Sequence, residues 1–81
     1  MRFILSFRAK QDYRNLTKEL QQSADKQFIL LLKNLMHPSL RAKKYDEAQN
    51  IWQARISKNF RFYFRIKNDT YEIITILKHP K

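Results

Sequence analysis

The chain contains no glycine and no cysteine, and only two prolines in 81 residues. Without cysteine there is no disulfide, no thiolate nucleophile and no cysteine-ligated metal site, an absence that fits a reducing compartment. Without glycine there is no glycine-rich phosphate loop, and tight turns fall to Asn and Asp, which tolerate left-handed backbone. No cluster of histidines and carboxylates stands at metal-ligand spacing, so neither a metal nor an organic cofactor is expected. The longest apolar run, Phe28–Leu32, is too short to span a bilayer. Phe3–Phe7 is too short for a secretory signal and is followed at once by Arg8. These absences lead to the expectation of one small cytoplasmic domain covering residues 1–81.

Acidic residues are also scarce. Seven Asp and Glu face 17 Lys and Arg, a formal net charge of +10. A balance this one-sided favours a polyanion or an acidic protein as partner. The excess is local: Arg41, Lys43, Lys44, Arg55, Lys58, Arg61, Arg65 and Lys67 are opposed between positions 41 and 67 only by Asp46 and Glu47.

Hydrophobic spacing supplies the elements. Phe3 to Arg8 reads as a strand with Phe3, Leu5 and Phe7 on one face. From about Lys10 to Gln22, Tyr13, Leu16 and Leu20 recur at helical spacing. Ser23 then offers an N-cap for a second helix carrying Phe28, Leu31, Leu32 and Leu35. Pro38 stops that helix, because the residue before a proline is pushed out of helical geometry. Residues 37–50 read as a polar connection anchored by Leu40 and Tyr45, with His37 capping a helix end. Three strands follow at about 51–57, 60–67 and 71–78, joined by turns at Lys58–Asn59 and Asn68–Asp69. The expected fold is α+β: an N-terminal strand, a helical hairpin, then a three-stranded antiparallel meander. Its core should contain Leu31, Leu35, Trp52, Phe60, Phe62 and Phe64.

Strand alternation also separates two faces. Trp52, Ala54 and Ile56, with Phe60, Phe62, Phe64 and Ile66, point one way. Gln53 and Arg55, with Arg61, Tyr63 and Arg65, point the other. Guanidinium groups bind phosphates bidentately, and an aromatic ring gives a base a surface to stack on. That second face, left open by helices packed on the first, is the expected nucleic-acid contact.

The order of these segments resembles the RelE/ParE-type toxins of type II toxin–antitoxin systems over nearly the whole length. Phe3–Lys10 with Asp12–Leu16 is similar to the opening strand and helix of that family. His37–Tyr45 is similar to its proline-containing loop and lysine-rich stretch. Trp52–Ile56 and Phe60–Phe64 are similar to its paired strands, and Leu77–His79 to its last strand. The resemblance implies a ribosome-dependent mRNA endonuclease, working without metal, in which the ribose 2′-oxygen attacks the adjacent phosphate. It also implies a cognate antitoxin that wraps the toxin.

On that resemblance Arg61 matches the arginine that stabilises the transition state, Arg55 joins it on the paired strand, and His79 supplies the acid or base. Lys43 and Lys44 resemble substrate-contacting lysines, with Tyr63 and Arg65 as further RNA contacts. Many members carry a tyrosine beyond the last strand. This sequence ends at Lys81 without one, which shifts its load to His79 and Lys43/Lys44. Two other readings keep the fold: a ParE-like inhibitor of DNA gyrase, and a non-catalytic RNA-binding module. Arg55, Arg61 and His79 weigh against the first, and the short C-terminus favours the second.

Overall fold

The computed structural model describes residues 1–79. Strand β1 (Arg2–Leu5) leads into helices α1 (Phe7–Arg14) and α2 (Lys18–Lys33) and a 3₁₀ turn at Pro38–Leu40. Strands β2 (Lys43–Asp46), β3 (Ile51–Arg55), β4 (Phe60–Lys67) and β5 (Thr70–Lys78) complete the chain. They form one sheet in the order β1-β5-β4-β3-β2. β1 is parallel to β5, and all other neighbours are antiparallel. The α+β architecture is the expected one, with a strand more than expected. No helix among the described residues is long and apolar enough to cross a membrane.

The added strand is β2, inside the stretch expected to be a connection. Lys43-Lys44-Tyr45-Asp46 has no apolar alternation, so periodicity does not reveal it. Its order comes from backbone pairing with β3. As an edge strand it carries lysines, a common protection against further pairing.

Two boundaries near the N-terminus differ from the expected ones, and in both a hydroxyl is the cause. The Ser6 side chain accepts from the Ala9 amide at 3.0 Å and donates to the Ile74 carbonyl at 2.7 Å. It therefore caps α1 and fastens that cap to β5. The strand ends there, and Phe7 becomes the first helical residue, 77% exposed instead of sharing a face with Phe3 and Leu5. Thr17 caps α2 through the Leu20 amide at 3.2 Å, so the helix begins well before Ser23, which lies inside it. His37 does cap, but not the end of α2: its Nδ1 accepts from the Ser39 amide at 3.1 Å and closes the 3₁₀ turn.

Both helices pack on one face of the sheet. Ala9, Ala24, Phe28 and Leu31 from the helices meet Ala54, Phe62, Phe64, Ile73 and Ile76 from the strands, with Leu40 beneath the turn. Phe62 and Phe64 are fully buried, while Trp52, Phe60 and Leu35 pack around them half-buried. Phe28 meets Phe62 edge-on at 5.1 Å, and Trp52 stacks on Phe64 at 6.2 Å. Asp12 ties α1 to β5 by accepting from the Thr75 hydroxyl and, at 3.0 Å, from the Ile76 amide. Asn50 and Asn68, both at φ 57°, take the left-handed positions of the β2–β3 and β4–β5 turns.

A chain of this size has a stability of about 4–12 kcal/mol. Phe62→Ala should remove about 3–5 kcal/mol of it, measured by urea unfolding. Ser6→Ala should cost about 0.5–2 kcal/mol through the lost cap. Ser23→Ala should cost nothing measurable. A loss at Ser23 equal to that at Ser6 would contradict the helix boundaries.

Candidate functional site

The register of β3 and β4 decides the site. Ala54 lies opposite Phe62, and Arg55 opposite Arg61. Burying the first pair against the helices turns the second to the open face. Directly opposed residues sit about 4.5–5.5 Å apart at Cα, so two guanidinium stems leave the sheet side by side. Like charges so placed repel, and among the described residues no carboxylate lies within salt-bridge distance of either arginine.

Arg61 is held in place by its own turn. Its Nη1 donates to the carbonyls of Ser57 at 2.8 Å, Lys58 at 3.2 Å and Phe60 at 3.0 Å. Its Nε and Nη2 make no hydrogen bond among the described residues. One nitrogen thus fixes the side chain, and the opposite edge of the fork remains free for a planar or tetrahedral anion. Burial, then Arg55 and Arg41, lower the Arg61 pKa from its ordinary value, with Tyr63 opposing. An arginine stays protonated under such a pull, and a bound anion would relieve it.

His79 reaches the same end of the sheet. Arg61 pairs with Leu77 and Phe60 with Lys78 on β5, and the His79 amide donates to the Asn59 carbonyl at 2.6 Å. The exposed His79 is therefore anchored by its backbone at the turn that Arg61 clasps. Arg55, Arg61 and His79 gather here from positions 24 residues apart in sequence (79 minus 55).

The other expected residues divide. Arg65 lies at the far end of β4, donating through Nε to the Gln49 carbonyl at 3.2 Å and facing Glu72 at 3.9 Å. Tyr63 stands between the two ends. Its hydroxyl accepts from the buried Gln53 amide at 2.9 Å, and its ring meets Tyr45 edge-on at 5.0 Å. Tyr45 is not a core anchor. It is 62% exposed and with Ile51, Tyr63, Ile74 and Leu77 frames a shallow recess of about 190 Å³. The open face is thus apolar and aromatic at its centre and cationic at its ends, not uniformly basic.

Lys43 and Lys44 lie on opposite faces. Lys43 pairs with Gln53 and shares the open face, whereas Lys44 pairs with Trp52. The Lys44 ammonium sits 5.2 Å above the Trp52 ring and 3.7 Å from Glu47.

A second basic feature has no sequence signal. Lys26 from α2, Arg41 after the 3₁₀ turn and Arg55 from β3 line one cleft of about 430 Å³. Lys26 is separated from the basic 41–67 segment by the entire second half of α2, and only packing brings it there.

No protein-family model matches this sequence, and no curated protein resembles it at a significant level. Solved structures do resemble it in shape. The YoeB/ParE toxin from Agrobacterium tumefaciens superimposes with a TM-score of 0.82 at 14% identity, covering 99% of this chain and 100% of that one. A chain of the heterotetrameric YoeB–YefM toxin–antitoxin complex from Staphylococcus aureus gives a TM-score of 0.78 at 14% identity, over 96% and 95%. The isolated E. coli RelE toxin gives 0.75 at 13% identity, over 98% and 84%. At these identities the likeness concerns architecture, and the chain has the fold of the RelE/ParE-type toxins.

Proposed function

We propose that this chain is the toxin of a type II toxin–antitoxin pair and that it cleaves mRNA on the ribosome, without a metal. The observation that carries the reading is the Arg61 clasp: a guanidinium locked by its turn, with a free edge, beside a second arginine and a histidine. The shared fold with YoeB and RelE toxins supports the same reading.

The chemistry follows from the groups present. The ribose 2′-hydroxyl passes its proton to solvent water as its oxygen attacks the adjacent phosphorus, a new O2′–P bond forms, and the P–O5′ bond breaks. Negative charge gathers on the non-bridging oxygens of the phosphorane. The free edge of Arg61, held by its turn, with Arg55 next to it, matches that charge with two cations that have no carboxylate partner among the described residues. His79 donates a proton to the departing 5′-oxygen as general acid. Lys43 lies one strand repeat from Arg55 on the same face, about 7 Å along, and holds the neighbouring backbone. Tyr63, with Tyr45 beside it, offers ring surface to a base. Arg65 touches RNA only by leaving Glu72. Lys44 reaches it only around the edge of the sheet, so both are weaker contacts.

The partner in this reading is an antitoxin that carries an acidic or amphipathic segment. The net charge of +10 on a small fold motivates it, since a bound partner stabilises the folded state by mass action. The complex should weaken as salt rises. Isothermal titration across ionic strengths checks this, and a salt-independent affinity would point to an apolar interface in the central recess.

Induced expression followed by mapping of mRNA 5′ ends should show cuts inside translated frames. Arg61→Lys should lower cleavage by about 10²–10³-fold, because an ammonium cannot both clasp the turn and present a planar edge. His79→Ala should lower it by about 10²–10⁴-fold, and Lys43→Ala by less. Arg61→Ala should also cost about 1–3 kcal/mol of stability through the lost turn bonds, so melting curves accompany each variant. Growth arrest with stalled replication and no mRNA cuts would move the chain to the gyrase-inhibitor reading.

A further inference from the structure

Arg55 belongs to two sites at once. It stands opposite Arg61 on the open face, and it lines the 430 Å³ cleft with Lys26 and Arg41. We propose that this cleft is a separate RNA-backbone subsite, which holds the phosphate next to the scissile one through Lys26 and Arg41. This rests on the nuclease reading and extends it to a substrate contact on α2.

Four observations carry the proposal. The volume lies within the range of about 300–1,000 Å³ typical of ligand sites. Three basic residues line it, and among the described residues no carboxylate does and none of the three forms a salt bridge. The walls are fixed by one buried side chain. Gln27, 5% exposed, donates to the Arg55 carbonyl at 2.8 Å and the Ser39 carbonyl at 3.2 Å, and accepts from the Ser39 hydroxyl at 3.3 Å. That single amide joins α2, the 3₁₀ turn and β3, so the cations are mounted on elements that hold their spacing. Finally, Arg41 occupies left-handed backbone at φ 48°. A non-glycine residue pays for that conformation, and such strain persists where the surroundings enforce it, often at ligand sites.

The lining also defines the ligand. It contains no aromatic ring, so a base has nothing to stack on. Serine hydroxyls from Ser23 and Ser39 join the cations, a set suited to phosphate and sugar oxygens. Contacts of this type fix position without reading sequence. Arg55 makes the cleft continuous with the Arg61 site, so successive phosphates of one strand can occupy the two. Coulombic repulsion from Arg41, one of the causes that lower the Arg61 pKa, agrees with that proximity.

The test uses the full chain and short 2′-O-methyl oligoribonucleotides of A and of U, which bind but cannot be cut. Fluorescence anisotropy measures their affinity over a range of salt. The variants are Lys26→Ala and Arg41→Asn, the second chosen because asparagine keeps left-handed backbone. Unchanged melting temperatures show that both fold. Each variant should weaken binding about two- to tenfold, equally for both sequences. Each should also reduce the slope of log affinity against log salt by about 0.7. No RNA binding by the unaltered chain, an unchanged slope, or a loss confined to one base would overturn the subsite. Variants that bind RNA normally but lose antitoxin affinity would overturn it too, and would assign the cleft to a protein carboxylate. If the slope changes but the chain makes no mRNA cuts, the subsite stands and the nuclease reading falls. If cuts persist with an unchanged slope, the reverse holds.

Discussion

The side-chain alternation of β4 is the constraint on which the molecule depends. Phe62 and Phe64 are fully buried against Phe28 and the neighbouring strands. Their burial stabilises a small core that has few alternatives, and a one-residue slip would put Arg61 and Tyr63 there instead. The same step that buries the phenylalanines therefore turns Arg61, Tyr63 and Arg65 outward. Pairing with β3 then sets Arg55 against Arg61. Core formation and assembly of the cationic site are one event on this strand.

A cluster of like charges needs mechanical support, and the structure supplies it with hydrogen bonds rather than ion pairs. Arg61 leans on three carbonyls of its own turn. Gln27 holds the carbonyls behind Arg55 and the 3₁₀ turn. The salt bridges among the described residues are elsewhere: Arg8 with Asp12, Lys44 with Glu47, Arg65 with Glu72. Among the described residues, carboxylates thus neutralise cations at α1 and at the far end of the sheet and leave those around Arg61 unpaired. An uncompensated but rigid cationic group suits an anion that arrives already charged, since little reorganisation is needed on binding.

Much of this was legible from residue order. The strand at 60–67 announced itself by aromatic alternation, the one expected at 51–57 and ending at Arg55 by apolar alternation, and Asn68–Asp69 by turn chemistry. Leu31, Phe62 and Phe64 are core as expected, and Arg55 and Arg61 face the open side as expected. Other features could not be read. Phe7 continues an apolar strand pattern, and only the Ser6 cap, tied to Ile74 across the fold, makes it helical. β2 lacks a hydrophobic period and exists because β3 offers it a partner. Tyr45 looks like a core residue, yet the irregular register between Lys44 and Asp46 places it on the open face beside Tyr63. Lys43 and Lys44 look equivalent in sequence, and pairing separates them.

Local sequence by itself determined which side of each strand is apolar, where the chain can turn without glycine, and that the cationic excess is concentrated after position 40. Those properties depend on residues a few positions apart, within reach of backbone geometry and side-chain alternation. Tertiary structure alone decided which cations meet. His79 joins Arg61 because β5 returns beside β4, and Lys26 joins Arg41 and Arg55 because Gln27 docks α2 against the end of β3. Repulsion between like charges gives a chain no reason to bring them together. Their convergence follows from the hydrophobic and hydrogen-bonded contacts beneath them, and those become visible only in the folded molecule.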